Sequence, residues 1–338
     1  MIRAMSVVCL GGGVGATRLW RALASEIGQD SITIVVNTAD DLWHYGLRVC
    51  PDLDTVIYGL SNRQDTERGW GLRDESFAAM ETLADLGQDI WFNLGDRDLA
   101  THLLRTELLR QGASLSEVAA HLAVVNRLTV RILPMCDEEV GTEIHETRGE
   151  WTPFQEFHVK HRAEPEVDDV RYAGIEDAVT PAAVLSAIES ASLIILGPSS
   201  PIASVMPILS VDRTRAAIQA SGAPVVAITP IVSGTPLIDP GEAHRARCRE
   251  RLMGARGLEH SAVAAAALYA DLIDYFVLDE ADEKEFAQVE ALGVRAIVAP
   301  TLTHVHPTVT KDLVGAIVSL SRQLTSFTSA GPLLRARW

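Results

Sequence analysis

Four carboxylates crowd two short stretches near the start of the chain, Asn37-Thr38-Ala39-Asp40-Asp41 and Pro51-Asp52-Leu53-Asp54. A set of acids like this takes a divalent cation, because Mg²⁺ shares carboxylate and phosphate oxygens. Solvated loop acids with helix-capping duties are the plainer alternative. Just upstream runs Gly11-Gly12-Gly13-Val14-Gly15-Ala16. Glycines let backbone approach a phosphate closely, and a helix that starts there offers free N–H groups and the positive end of its dipole. The same string satisfies G-x-G-x-x-A, so a dinucleotide site is a second reading, and a plain tight turn a third. Gly197-Pro198-Ser199-Ser200-Pro201 adds two hydroxyls and further N–H groups that suit a phosphate or a base edge.

Leu94-Gly95-Asp96-Arg97-Asp98 precedes a helical pattern. Asp98 is placed to cap that helix. Arg97 either pairs with its flanking acids or forks onto a phosphate. His102, one turn on, reads as a structural histidine. His304-Val305-His306 puts two imidazoles on one side of a strand, but no third ligand accompanies them, so they read as surface residues. No G-x-S-x-G elbow, H-E-x-x-H or P-loop lysine is present.

These residues need elements to hold them. Ser6–Leu10 and Ile32–Val36 are apolar runs that bracket the glycines and a helix with Leu19, Leu23 and Ile27, which is the opening of a parallel α/β sheet. From about Asp74 to Arg127 the pattern turns helical, with a capping box at Ser114-Leu115-Ser116-Glu117. Short strands are expected between Thr129 and Val159, at Val130, Ile132 and Leu133, then Ile144, Phe154, Phe157 and Val159. Strands return at Leu193–Leu196, Val225–Ile228, Tyr275–Leu278 and Ala296–Val298. The fold class is therefore α/β, a Rossmann-like parallel sheet (1–72 and 129–322) with a helical insertion (73–128) and an aperiodic tail (323–338). The glycine run, Asn37–Asp41 and Gly197–Ser200 all end strands, where open α/β sheets bind ligands.

The 338 residues suffice for one large core or two merged ones. A formal charge of −16 disfavours nucleic acid as a partner. The four cysteines are scattered without a C-x-x-C pair, which suits a reducing compartment and not a zinc site. The opening does not read as a signal peptide, and the most apolar helical stretch, His260–Ala270, is too short to span a bilayer. A cytoplasmic location is expected, and a homodimer is left open.

Taken in order, these motifs resemble the 2-phospho-L-lactate transferase family of deazaflavin coenzyme biosynthesis. The resemblance spans roughly residues 6–320 and rests on Gly11–Leu19, Asn37–Asp41, Pro51–Thr55, Arg68–Gly71, Leu94–His102, Phe154–Phe157, Gly197–Pro201 and Leu268–Leu272. Asp52–Thr55 and Gly95–His102 are its most specific strings. The more distant gluconeogenesis-factor group shares the glycines and the paired Asp; a nucleotide-sugar-binding regulator of that kind and an NAD-dependent oxidoreductase are the alternatives. The family implies transfer of a phosphoacid from a guanosine diphosphate conjugate to a deazaflavin alcohol, Fo, with loss of GMP and a need for Mg²⁺.

On that resemblance Asp54 and Arg97 would serve catalysis, and Asp54 and Asn93 would contact Fo. Gly11, Gly12, Gly13, Gly15, Gly197, Ser199 and Ser200 would cradle the nucleotide phosphates. Asp40, Asp41 and Asp54 would hold Mg²⁺. The chain departs from the family at Asn93, often basic, at Ser200, usually Asn, at Thr235-Pro236, where Lys is common, and at Met206, where Gly is common. Short hydroxyl side chains there favour a donor other than strict phospholactate. Activity is expected to vanish with a chelator and return with Mg²⁺ or Mn²⁺. Full activity after exhaustive metal removal would leave Asp40, Asp41, Asp52 and Asp54 as loop acids.

Overall fold

The computed structural model describes residues 5–234, 240–302 and 310–318. His304, His306, Thr235, Pro236 and the tail lie outside these residues. Runs that are apolar on both faces become the strands of a sheet covered on both sides. Seven of them, β1 (Val7–Leu10), β2 (Ile32–Val36), β5 (Arg131–Pro134), β9 (Leu193–Leu196), β10 (Val225–Ile228), β11 (Tyr275–Leu278) and β12 (Arg295–Val298), form one parallel sheet in the order β12-β11-β10-β9-β1-β2-β5. This is the expected α/β class.

The alternation of strand residues feeds two cores. Val8 and Leu10 join Ile194 and Leu196 on one face. Val7 and Cys9 join Leu19, Trp20 and Ile57 on the other. The second face is covered by α1 (Gly13–Ile27), α2 (Pro51–Leu60) and α5 (Leu115–Val125). The first is covered by α6 (Ala182–Ser190), α7 (Met206–Ser210), α8 (Thr214–Ala220), α9 (Pro240–Ala255) and α10 (Ala262–Ala267). The short α11 (Phe286–Glu290) leads into β12. No helix among the described residues is long and apolar enough to cross a membrane.

Two additions to the sheet shape the site. A hairpin, β3 (Leu42–His44) and β4 (Leu47–Val49), follows Asp41 and leads directly into α2; Val49 packs with Met80 of α3 (Ala78–Asp85) and Leu94. A three-stranded antiparallel sheet, β6 (Gly141–Glu146), β7 (Trp151–Pro153) and β8 (Val167–Ala173), stands between β5 and α6. Phe157 and Val159, expected in a strand, lie instead in one wide helical turn, Glu156–Lys160, closed by His161 N–H to the Glu156 carbonyl. Phe157 is buried there in the core. In the stretch read as a helical insertion, α5 docks its Leu115, Val118 and Leu122 on the sheet. Its capping box forms as expected, with Glu117 N–H donating to Ser114 Oγ and Ser114 N–H to the Glu117 carboxylate.

α4 (Asp96–Arg110) is not capped by Asp98. The carboxylate of Glu75 does that work, accepting from the N–H groups of Arg97 and Asp98 at 3.1 Å each. The N-cap residue, Gly95, has no room for a side chain because a Cβ would run into that carboxylate. Relieved of capping, Asp98 turns inward and is buried.

Strand order reverses between β1 and β9, so their carboxyl ends open the crevice of the sheet. Gly197 stands at the end of β9, and a Cβ there would lie 2.6 Å from the Trp20 ring. Its missing side chain serves the packing of α1 against the sheet. Gly197→Ala is expected to destabilise the fold by about 1–3 kcal/mol through overpacking. A urea midpoint equal to that of the parent would show that Trp20 has room to give.

Candidate active site

At the crevice the chain leaves β1, turns through Gly11 and Gly13 at φ of +136° and +75°, and enters α1. Gly12 is the N-cap and has no capping side chain. A Cβ on Gly12 would overlap the carboxylate of Asp52, so this position must stay bare for the acid to sit against the loop. Ser199 reaches across from β9 and donates from Oγ to the Gly12 carbonyl at 2.9 Å. Gly15 approaches the Pro198 carbonyl, where a Cβ would lie 2.9 Å away. The two strand ends at the switch point are thus tied into one cradle. Ser200 is turned to another duty: its Oγ accepts from Ala203 N–H and caps the turn that follows.

Asn37 organises the acids beside the cradle. Its amide donates to Asp40 Oδ1 at 3.0 Å and to Asp52 Oδ2 at 3.1 Å. Gln155 donates to the other Asp40 oxygen at 3.1 Å. Burial, then the neighbouring charges of Asp52 and Asp41, push the Asp40 carboxyl well above its usual range. Burial pushes Asp52 up to about 6, against the hydrogen bond from Asn37. Asp41 is pushed up to about 7 by burial, although Arg48 Nη2 lies 3.5 Å from its carboxylate. Neither Asp41 oxygen accepts a hydrogen bond within good geometry from the described nitrogen and oxygen atoms. Asp40 and Asp52, joined by the Asn37 amide, present oxygen donors of the kind Mg²⁺ takes, whereas Asp41 faces Arg48.

Asp54 belongs to a second cluster, one residue-pair further along α2. Its two oxygens receive the fork of Arg105: Nη1 at 3.1 Å to Oδ2 and Nη2 to Oδ1. Both residues are buried, Asp54 at 5% and Arg105 at 0% exposure. Arg105 Nη1 also meets the Arg48 carbonyl at 3.2 Å and His102 Nδ1 at 3.1 Å. His102 Nε2 lies 3.3 Å from Asp98 Oδ1, which takes a 2.6 Å hydrogen bond from the Tyr58 hydroxyl. Burial works against the Asp98 charge, but His102, Tyr58 and Arg105 outweigh it and hold that carboxyl below its usual range. Asp54, Asp98 and His102 have ligand atoms within 4.8 Å of one another, as in a metal cluster. The guanidinium of Arg105, 3.1 Å from both Asp54 Oδ2 and His102 Nδ1, puts a positive charge where an ion would sit and disfavours one there.

The expected residues therefore divide. Gly11–Gly15, Ser199, Asp40 and Asp52 meet at the cradle, and Asp41 and Asp54 lie behind them around Arg48 and Arg105. Arg97 is exposed and donates to the Arg73 carbonyl, away from the buried pair. Asn93 is exposed on the loop before α4. Met206 packs against the core and meets Arg215 through its sulfur, so its side chain is committed to packing. The residues not foreseen are Asn37, Arg48, Tyr58, Gln155 and Arg105. A signal existed for two of them: Asp98, His102 and Arg105 repeat at helical spacing, as do Asp54 and Tyr58.

An open parallel sheet with a glycine cradle at its switch point and buried carboxylates beside it defines a Rossmann-like α/β enzyme. The chain belongs to the 2-phospho-L-lactate transferase CofD family, whose model matches residues 7–302. It is accordingly a transferase, and the oxidoreductase alternative falls away. A phosphoenolpyruvate transferase of Kitasatospora aureofaciens is 40% identical over 304 residues, 88% of this chain and 92% of its own length. A 2-phospho-L-lactate transferase of Methanosarcina mazei is 37% identical over 296 residues, 88% of this chain and 94% of its own. A crystal structure of a UPF0052-family protein from Bacillus halodurans shares the fold, with a TM-score of 0.55 at 19% identity, covering 89% of this chain and 94% of that one.

The Asp54–Arg105 pair makes a strong demand on stability. Arg105→Met would leave the Asp54 charge buried and unpaired, at an expected cost of about 3–5 kcal/mol. The double variant Arg105→Met with Asp54→Leu is expected to recover most of that loss, because both charges are then gone. Urea denaturation of the three proteins checks this. A single variant as stable as the parent would mean that the pair is satisfied by water instead.

Proposed function

We propose that this transferase moves a phosphoacid from its guanosine diphosphate conjugate to the deazaflavin Fo (7,8-didemethyl-8-hydroxy-5-deazariboflavin), in the making of coenzyme F-420. The observation that carries this reading is the first turn of α2. Its Asp52 sits against the glycine cradle, and its Asp54 is held two residues on by Arg105. A diphosphate in the cradle and an alcohol at Asp54 would then be neighbours.

In this reading the Fo hydroxyl attacks the phosphorus that carries the acid. A new P–O bond forms to Fo, the P–O bond to GMP breaks, and GMP leaves with the electron pair. The hydroxyl proton passes to solvent or to the leaving phosphate. Such chemistry is largely positioning and charge neutralisation. The N–H groups of Gly11, Gly12, Gly13 and Gly15 cradle the diphosphate, with Ser199 fixing the loop. Asp54 orients the hydroxyl with the oxygen lone pairs that Arg105 leaves free.

Asp40 and Asp52, joined by the Asn37 amide, would hold Mg²⁺, with Asp41 reaching it through water, whereas Asp54 is engaged by Arg105. The bound ion supplies neutralisation of the diphosphate charge. Gly197 and Ser200 support the loop, and Arg97, exposed as it is, serves only if it meets the donor from outside.

Relatives bear both names, phosphoenolpyruvate transferase and 2-phospho-L-lactate transferase, at similar identity. The departures at Asn93, Ser200 and Thr235 favour a donor other than strict phospholactate, and Met206 departs beside them. Ser200 caps a turn, and Met206 packs against the core. The product is accordingly F-420-0 or its dehydro or glyceryl analogue.

Purified protein with Mg²⁺ and Fo is expected to release GMP, followed by liquid chromatography, from at least one of the lactyl, enolpyruvyl and glyceryl donors. Competition among the three, read by mass spectrometry of the coupled product, names the donor. Absence of GMP with all three would sink the transfer reaction written here.

A further inference from the structure

A guanidinium has hydrogens to give and no lone pair to accept with. Arg105 Nη1 stands 3.1 Å from His102 Nδ1, so Nδ1 must be the acceptor. A proton on Nδ1 would point at a cation. The single ring proton therefore sits on Nε2, on the side where Asp98 Oδ1 lies 3.3 Å away. That oxygen also holds the Tyr58 hydroxyl at 2.6 Å. The donors run one way. Tyr58 O–H donates to Asp98, and His102 Nε2–H lies beside the same oxygen but off hydrogen-bond geometry. Arg105 N–H faces both Asp54 and His102 Nδ1, which is itself 3.7 Å from Asp54 Oδ2. All five side chains are buried. All five sit on helical spacing, Asp54 and Tyr58 on α2, Asp98, His102 and Arg105 on α4.

Nothing in this chain is needed merely to join α2 to α4, because apolar residues do that at lower cost. Replacing a buried ion pair by well-packed hydrophobes is often neutral or stabilising. What the ionic arrangement adds is direction. Two of the Asp54 lone pairs are committed to the fork of Arg105, so the remaining ones are fixed in space. The angle of Arg105 is in turn set by three acceptors around Nη1: Asp54 Oδ2, the Arg48 carbonyl and His102 Nδ1.

We propose that Asp98, His102 and Arg105 form a positioning chain for Asp54, with His102 held as the neutral Nε2–H tautomer, and that turnover depends on this chain. The proposal rests on the reading of Asp54 as the group that orients the acceptor hydroxyl. None of the three touches the reacting atoms, so they are positioning residues. Their loss would loosen Asp54 without removing the donor cradle at Gly11–Gly15, and the effect belongs in kcat and not in the donor KM.

Histidine labelled with ¹⁵N, observed by NMR in the full-length protein, reports the tautomer directly, and His102→Gln identifies the His102 signal by its loss. The expected signal is Nε2 protonated and Nδ1 bare. In the GMP-release assay His102→Leu is expected to lower kcat by about 10- to 100-fold, the scale of a misplaced reacting group. Its donor KM should stay within about threefold, the mark of an interaction felt in the transition state. His102→Gln can accept from Arg105 with its amide oxygen and donate to Asp98 with its nitrogen, so it should keep most of kcat. Arg105→Lys keeps the charge but cannot fork, and should lose kcat with the fold intact.

An Nδ1–H or doubly protonated His102 would overturn the proposal. So would His102→Gln as impaired as His102→Leu, which would indicate a packing role alone. Should His102→Leu fail to fold, the tautomer of the parent protein and the kcat of Tyr58→Phe, which removes one hydroxyl from Asp98, still decide: an unchanged kcat in Tyr58→Phe counts against the chain. The NMR arm needs no substrate, so a failure of the transfer reaction itself shows separately, as absence of GMP from the unaltered protein.

Discussion

The buried fork of Arg105 on Asp54 is the interaction on which the site depends. A carboxylate at 5% exposure is stable only if its charge is answered nearby, and the guanidinium answers it with two hydrogen bonds. Arg105 is itself fully buried, so it carries the same requirement. The Arg48 carbonyl, His102 and Asp54 meet its terminal nitrogens, while Nε has no acceptor among the described residues. This ties α4, the β3–β4 hairpin and α2 to one another through polar atoms, beside the small apolar group around Val49, Met80 and Leu94. The hairpin is fixed again where Arg48 N–H donates to the Thr106 hydroxyl at 2.8 Å. It is held further by Trp43 Nε1–H to the Glu139 carboxylate at 2.9 Å and by Arg110 to the Gly46 carbonyl at 3.2 Å.

The cradle is built by a different rule. There the acids are not answered by cations. Asp40 and Asp52 share one amide, Asn37, and their carboxyls stand above the usual range because burial disfavours charge. Glycine is needed opposite them for a steric reason, since Asp52 fills the space a Gly12 side chain would take. The helix N-terminus and the acid thus face one place, one favouring negative charge and the other reluctant to carry it.

Much of this was legible from sequence. Uninterrupted apolar runs that stop at glycines or prolines read correctly as parallel strands, because a strand buried on both faces admits nothing else. The turns after β1 and β9 were legible for the same reason. The chemistry of α4 was not. Its apolar residues Leu103 and Leu104 lie outside at 57% and 39% exposure, while Asp98, His102 and Arg105 lie inside. A pattern of hydrophobicity assigns such a helix the wrong inner face, and only the pairing with Asp54 makes the inversion stable. Phe157 and Val159 alternate as strand residues do, yet the chain there coils into a wide turn to seat Phe157 in the core. Asn37 was visible as a strand end, but its role depends on Asp52, fifteen residues away and brought near only by the hairpin.

Pro51 opens α2 and fixes the backbone at the point where Asp52 and Asp54 leave it in two directions. Asp52 is read by the glycine loop, and Asp54 by α4. A helical turn is stiff, so these two carboxylates behave as the two arms of one lever. A shift of the turn that relieves crowding at Gly12 must also move the acid that Arg105 grips. The hairpin, which enters this helix directly, is then the pivot's mounting: whatever bends β4 tilts both arms together.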